Sequence, residues 1–193
     1  MKTKTKSLEA VNFNLTSVQI IAFGAIFMAL RVVLGFLEIN IGDSYRITFS
    51  PLPVTLGAYM LGPVWGGIIG ACGDIITLII HPTGAINFGI LFAKALWGVI
   101  MGLLLYKKSL TVLRCIVANL SAIIICNIVI TTASLCIAYG YPLEAILPVR
   151  LITNAILMPI YTFGTIFIGN TINRIYNKCW SGKIRHILKK PVK

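Results

Sequence analysis

An all-α integral membrane protein, built as a bundle of six transmembrane helices, is the fold class this sequence predicts. Three observations predict it. The 193 residues are 58% hydrophobic and only 11% charged, with a mean hydropathy of +0.91, far from the composition of water-soluble domains. The apolar residues fall into long runs separated by short polar or Gly/Pro-marked stretches, and a run of roughly 20 is what one helical crossing needs. Finally, thirteen of the 17 basic residues lie before the first run, at one middle junction (Lys107, Lys108, Arg114), or from Arg174 to the end. Lys and Arg gathered beside span ends mark the cytoplasmic side.

Taken in order, Ser17 to Leu37 is apolar apart from Arg31 and forms the first span. Glu38 to Ser50 is polar and reads as an outside loop. Pro51 to Leu61 is a short second span, Gly62-Pro63 a break, and Val64 to Ile80 the third span. His81-Pro82-Thr83-Gly84 is an outside turn, Asn87 to Tyr106 the fourth span, and Leu110 to Tyr139 contains the fifth. Gly140 to Glu144 makes the third outside loop, and Ile146 to Ile172 contains the sixth span. Both termini and the Lys107 junction then lie inside, as an even number of crossings requires. The chain accordingly divides into a cytoplasmic segment 1–16, a six-helix domain 17–177 and a basic cytoplasmic tail 178–193, without an internal repeat.

Small residues at spacing four bring helices together. Ala25 and Ala29 form one such pair, Gly62, Gly66 and Gly70 a second set, and Gly98 and Gly102 a third. Each set fits either packing within the bundle or docking of another membrane subunit.

Ionisable groups inside a membrane mark cavities and pathways. Arg31, Arg46, Lys94 and Arg150 all fall towards the outside half and share a sign, so an anionic ligand is the simplest partner; snorkelling of each side chain to the interface is the alternative. Asp74 is the carboxylate well inside a span. It either pairs with one of these cations, binds the amino edge of a heterocycle, or supports packing. Trp97, one turn from Lys94, suggests a stacking surface, with Asn87 and Asn154 as hydrogen-bonding partners.

Catalysis has little support: HExxH, GxSxG and P-loop patterns are missing. The two histidines, His81 and His186, lie in a turn and in the tail. Five cysteines show no metal-binding spacing, and neither a metal nor a cofactor is expected. The basic residues are not interleaved with aromatic ones on a folded face, so nucleic acid is not an expected partner.

The run Arg46-Ile47-Thr48-Phe49-Ser50-Pro51-Leu52-Pro53, the block from Leu61-Gly62-Pro63-Val64-Trp65-Gly66 to Gly73-Asp74, the turn Pro82-Thr83-Gly84-Ala85, and Pro148-Val149-Arg150 with Asn154 and Pro159-Ile160 resemble the folate family of S components. These are the substrate-binding subunits of energy-coupling factor (ECF) vitamin importers. The resemblance implies a six-helix component of a bacterial cell membrane. It would bind vitamin in an outward-facing cavity capped by outer loops one and three, then dock on a shared transmembrane subunit that carries two ATPases. Ala25-Ile26-Phe27-Met28-Ala29 matches the AxxxA docking motif of such components. Folate would place its glutamate carboxylates against Arg31, Arg46, Lys94 or Arg150, and its pterin on Trp97 with Asn87, Asn154 or Asp74. One segment departs from the family pattern: Ile86-Asn87-Phe88-Gly89-Ile90-Leu91 replaces an aromatic-Pro-Gly-Phe-Thr run. An S component for pantothenate or a queuosine precursor is therefore the first alternative, a solitary carrier or channel the second, and a membrane enzyme the third.

Overall fold

A computed structural model describes residues 13, 15–36, 39–40, 46–80, 87–140 and 142–188, without the side chains of 39, 40, 46, 47, 139, 145 and 177–188. The expected turn at His81 to Gly84, together with Ala85 and Ile86, lies outside the described residues. Helix α1 spans Ser17–Phe36, α2 Pro51–Leu61, α3 Pro63–Ile80, α4 Phe88–Leu105 and α5 Val112–Ala122. A π-helical segment, Ile123–Thr131, joins α5 to α6, Thr132–Tyr139, so that these three make one continuous crossing. Helix α7 runs Leu143–Leu188.

Five crossings, α1, α3, α4, the α5 to α6 rod and α7, contain apolar stretches long enough to span a bilayer. With the shorter α2 they give the expected six-element bundle. The surface is that of a protein dissolved in lipid. No more than about a third of any crossing is buried inside the bundle, and Val18, Ile79, Phe88 and Ile137 are at least three-quarters exposed. Water would not tolerate that much contiguous apolar surface.

Two details differ from the expectation. The polar stretch after α1 contains a two-residue antiparallel pair, Ile39–Asn40 (β1) with Arg46–Ile47 (β2), so the first loop folds back as a narrow hairpin. The last helix begins at Leu143 and continues beyond Ile172 to Leu188, into the basic tail. It does so through Pro148 and Pro159, which apolar spans accommodate because neighbouring groups satisfy the freed carbonyls.

Helix α2 positions the site. Eleven residues reach only ~16 Å at 1.5 Å per residue, about half of a hydrocarbon core. Its start is fixed by Tyr161 of α7, whose hydroxyl donates to the carbonyl of Thr48 at 2.8 Å. The chain from the hairpin therefore enters the bundle before it turns helical, and the hairpin half of this column holds loop rather than helix.

The glycines on α3 and α4 meet each other. A Cβ on Gly98 would collide with the carbonyl of Gly66, one on Gly70 with the carbonyl of Lys94, and one on Gly102 with Pro63. The two helices thus pack backbone to backbone, and this spacing-four pattern serves internal packing. Helix α1 uses a different face, turning Gly24, Phe27, Arg31 and Gly35 inward against α2 and α3. Ala25 and Ala29 point out of the bundle and are exposed.

Phe13 packs edge-on against both Tyr59, near the end of α2, and Tyr176 of α7, at 5.5 and 4.8 Å between ring centroids. Gly62 abuts Tyr106, beside the Lys107 junction. The segment before α1, that junction and the later part of α7 thus share one end of the bundle, here termed the terminal end; the hairpin lies at the other.

Candidate functional site

Three clusters of polar side chains occupy the hairpin half of the bundle. The first is an aromatic floor. Trp97 is buried in α4, lies edge to face with Tyr161 at 6.2 Å, and donates from its indole nitrogen to the Thr55 hydroxyl at 3.4 Å. Thr55 in turn donates to the carbonyl of Pro51 at 2.9 Å. These rings sit level with the start of α2, where the entering loop is held by Tyr161.

The second cluster lies about two turns nearer the hairpin along α7, since Asn154 precedes Tyr161 by seven residues. The Asn154 carbonyl oxygen accepts from the Asn127 amide at 2.9 Å, and its own amide donates to the carbonyl of Arg150 at 2.8 Å. The Arg150 guanidinium donates to the main-chain carbonyl of Asn127 at 3.0 Å. This carbonyl also accepts from the Thr132 hydroxyl, and the Cys126 carbonyl from Thr131. Both hydroxyls reach back five residues, as the wider turn of a π segment allows. Such segments commonly mark functional positions within helices. Here the widened turn presents main-chain oxygen to a cation on the facing helix. Lys94 stands on α4 one turn from Trp97 towards the hairpin.

The third cluster joins α1 to α3. Arg31 is 3% exposed and forms an ion pair with Asp74 at 3.0 Å. The side chain lies over Gly73, where a Cβ would come within 2.7 Å of it. Asp74 thus pairs with a cation, the first of its three expected roles, and Arg31 points into the bundle instead of snorkelling. Asn87 caps α4 by accepting from the Gly89 amide at 2.9 Å, and its own amide donates to the Ser134 carbonyl at 3.2 Å.

Of the residues expected at the site, Arg150 and Asn154 are therefore brought together, with Trp97 beneath them, while Arg31 and Asp74 form a separate pair. Asn87 ties α4 to α6. Arg46 belongs to β2, and its side chain lies outside the described residues. Trp65 packs on Gly24 of α1 and Phe88 is exposed, so neither joins the floor. Asn127, Thr55 and Tyr161 were missed by sequence reasoning. Asn127 carried a signal: it is the polar residue in Ile123-Ile124-Ile125-Cys126-Asn127-Ile128-Val129-Ile130, and an amide in mid-span needs a partner. Tyr161 also carried one, standing seven residues from Asn154 on the same helical face.

An apolar-surfaced bundle with polar side chains clustered in one half has the architecture of a membrane-embedded protein whose interior can take a polar solute. The model of the family "ECF transporter, substrate-specific component" matches residues 19–176, and the chain belongs to that family. A relative, the folate transporter FolT of Clostridium novyi (strain NT), is 32% identical over 116 residues, covering 60% of this chain and 67% of the relative. Among solved structures, FolT bound with folic acid superimposes with a TM-score of 0.73 at 31% identity, over 78% of this chain and 92% of that one. The S component for biotin from an ECF-type transporter gives 0.62 at 21% identity, over 84% and 95% respectively, a likeness of fold alone. The sequence resemblance therefore named the right family, and with it a substrate-binding component of a transporter.

Proposed function

We propose that this protein captures folate, or a closely related pterin, from outside the cell and delivers it by docking on an ECF transmembrane subunit driven by two ATPases. The observation that carries this reading is the Arg150–Asn127–Asn154 cluster set above the Trp97–Tyr161 floor. It places amides two turns and a cation three turns along α7 from flat aromatic surfaces, matching a ligand with carboxylates at one end and a ring at the other. The likeness to FolT over most of its length supports it. Lys94 and Arg150 are assigned to the carboxylates, Trp97 to the pterin face, and Asn154 to its edge. Arg31 and Asp74, held by each other, brace the α1–α3 wall. Arg46 is assigned to the closing loop, and Asn87 to the α4 entrance.

In this reading both termini face the cytoplasm of a bacterial cell, so the hairpin end opens outward. The exposed Ala25 and Ala29 face carries the docking contact, and the energy comes from ATP hydrolysed elsewhere. A second reading, an S component for pantothenate or a queuosine precursor, is favoured by the Ile86 to Leu91 segment that leads into α4. Charge-assisted hydrogen bonds are worth ~1.5–3 kcal/mol, so Lys94→Ala and Arg150→Ala should each weaken folate binding about 10- to 100-fold, measured by titration calorimetry in detergent. Unchanged affinity in both variants would remove these residues from the site.

A further inference from the structure

The terminal half of the bundle holds polar groups that the ligand site does not use. Along α7, Thr162, Thr165 and Asn173 share a face with Gly169, at spacings of three and four. Gly169 abuts Leu110 and Leu56, so this face is turned towards α2 and the start of α5. Asn119 of α5 donates to the Cys115 carbonyl at 3.0 Å and to the Thr162 hydroxyl at 3.3 Å. Asn173 accepts from the Tyr59 hydroxyl at 3.0 Å. Asn119, Thr165 and Asn173 are at most 1% exposed.

Among the described residues, no partner meets Asn119 Oδ1, Thr165 Oγ1 or Asn173 Nδ2, and all three atoms are buried. Exchanging the amide atoms does not remove the deficit. A reversed Asn119 would set its oxygen against the Cys115 carbonyl, and a reversed Asn173 would leave an oxygen unmatched in place of a nitrogen. Thr55, Thr77, Ser121, Thr131, Thr132 and Thr171 each bond a carbonyl of the preceding turn, whereas the buried Thr165 hydroxyl meets no carbonyl among the described residues.

We infer that this seam between α2, α5 and α7 is an internal water-binding site. Unsatisfied buried polar atoms are costly, and more so where surrounding lipid offers no hydrogen bond. Trapped water is the ligand whose chemistry fits, because each molecule offers two O–H donors to an oxygen such as Asn119 Oδ1 and lone pairs to donors such as the Thr165 hydroxyl and Asn173 Nδ2. Thr165 and Asn173 stand eight residues, ~12 Å, apart along α7, so the seam takes more than one molecule. A metal cation fits poorly, since the seam includes an N–H donor and, among its described residues, no carboxylate. Phe13, edge-on to Tyr59 and Tyr176, closes the terminal end, while the Trp97–Tyr161 floor separates the seam from the ligand cluster. The inference is independent of which vitamin binds.

Thr165→Val keeps the shape and removes the hydroxyl, so its effect has a sign. If water is bound, the melting temperature of the purified protein falls by about 2–4 °C, because the water loses a partner. X-ray radiolytic labelling, which modifies side chains beside bound water, should then mark Cys115 above the equally buried Met101, after correction for intrinsic reactivity, and Thr165→Val should reduce that mark. A higher melting temperature in Thr165→Val would show a dry seam, and Cys115 labelled no more than Met101 would likewise overturn the inference.

Discussion

At the scale of single residues, the ion pair between Arg31 and Asp74 and the hydrogen bond from Trp97 have different consequences. Breaking a buried pair leaves the remaining charge without compensation, at a cost of ~3–5 kcal/mol. Arg31→Ala should therefore lower thermal stability in detergent strongly, and the double variant Arg31→Met with Asp74→Leu should restore most of it. Recovery follows because an apolar pair of similar volume needs no desolvation of charge. Trp97→Phe removes the bond to Thr55 while keeping a ring on Tyr161, and should cost ~1 kcal/mol of stability together with most of the ligand-induced fluorescence change. The ionisable residues were legible in the sequence because charge within an apolar run is conspicuous. Their partners were less so. That Arg31 meets Asp74 depends on Gly73 lying across the helix interface, and that Arg150 meets a main-chain carbonyl depends on a π segment, which leaves little imprint on hydrophobic periodicity.

At the scale of helices, small residues at one spacing serve two ends. On α3 and α4 they admit a backbone contact too close for any Cβ, so Gly98→Ala should destabilise the isolated protein by at least ~1–3 kcal/mol through overpacking. On α1 the same spacing faces outward. Ala29→Leu should leave the melting temperature of the isolated protein within ~1–2 °C of the parent, consistent with a change of ~0.5 kcal/mol at a surface position. It should nevertheless abolish co-purification with the ECF transmembrane subunit; retained co-purification would move the docking contact elsewhere. Spacing alone gave the existence of these faces without their direction, because AxxxA and GxxxG read identically until the inward stripe, Gly24, Phe27, Arg31 and Gly35, is known. The six apolar elements were legible from their length and Gly/Pro punctuation. The hairpin Ile39–Asn40 with Arg46–Ile47 was not, since two-residue strands carry no periodicity.

For the whole molecule, one inequality of length underlies the proposed site. A half-length α2 among full-length helices leaves the hairpin half of its column to a loop, and the neighbouring helices α4, α7 and the π segment carry aromatic, amide and cationic groups at that level. Phe13 and the later part of α7 lie at the opposite end of the bundle, where Phe13 packs between α2 and α7. This arrangement suits a component that binds on one side and relies on other subunits for energy. Uptake in proteoliposomes should accordingly require the ECF transmembrane subunit, its ATPases and ATP, and the purified chain alone should not accumulate ligand. The most direct test is titration of the purified protein with folate and a panel of other vitamins, following tryptophan fluorescence. Saturable quenching by folate at one molecule per chain, without competition from pantothenate or a queuosine precursor, is the expected result; saturable binding of another vitamin in place of folate, or of none, would contradict it.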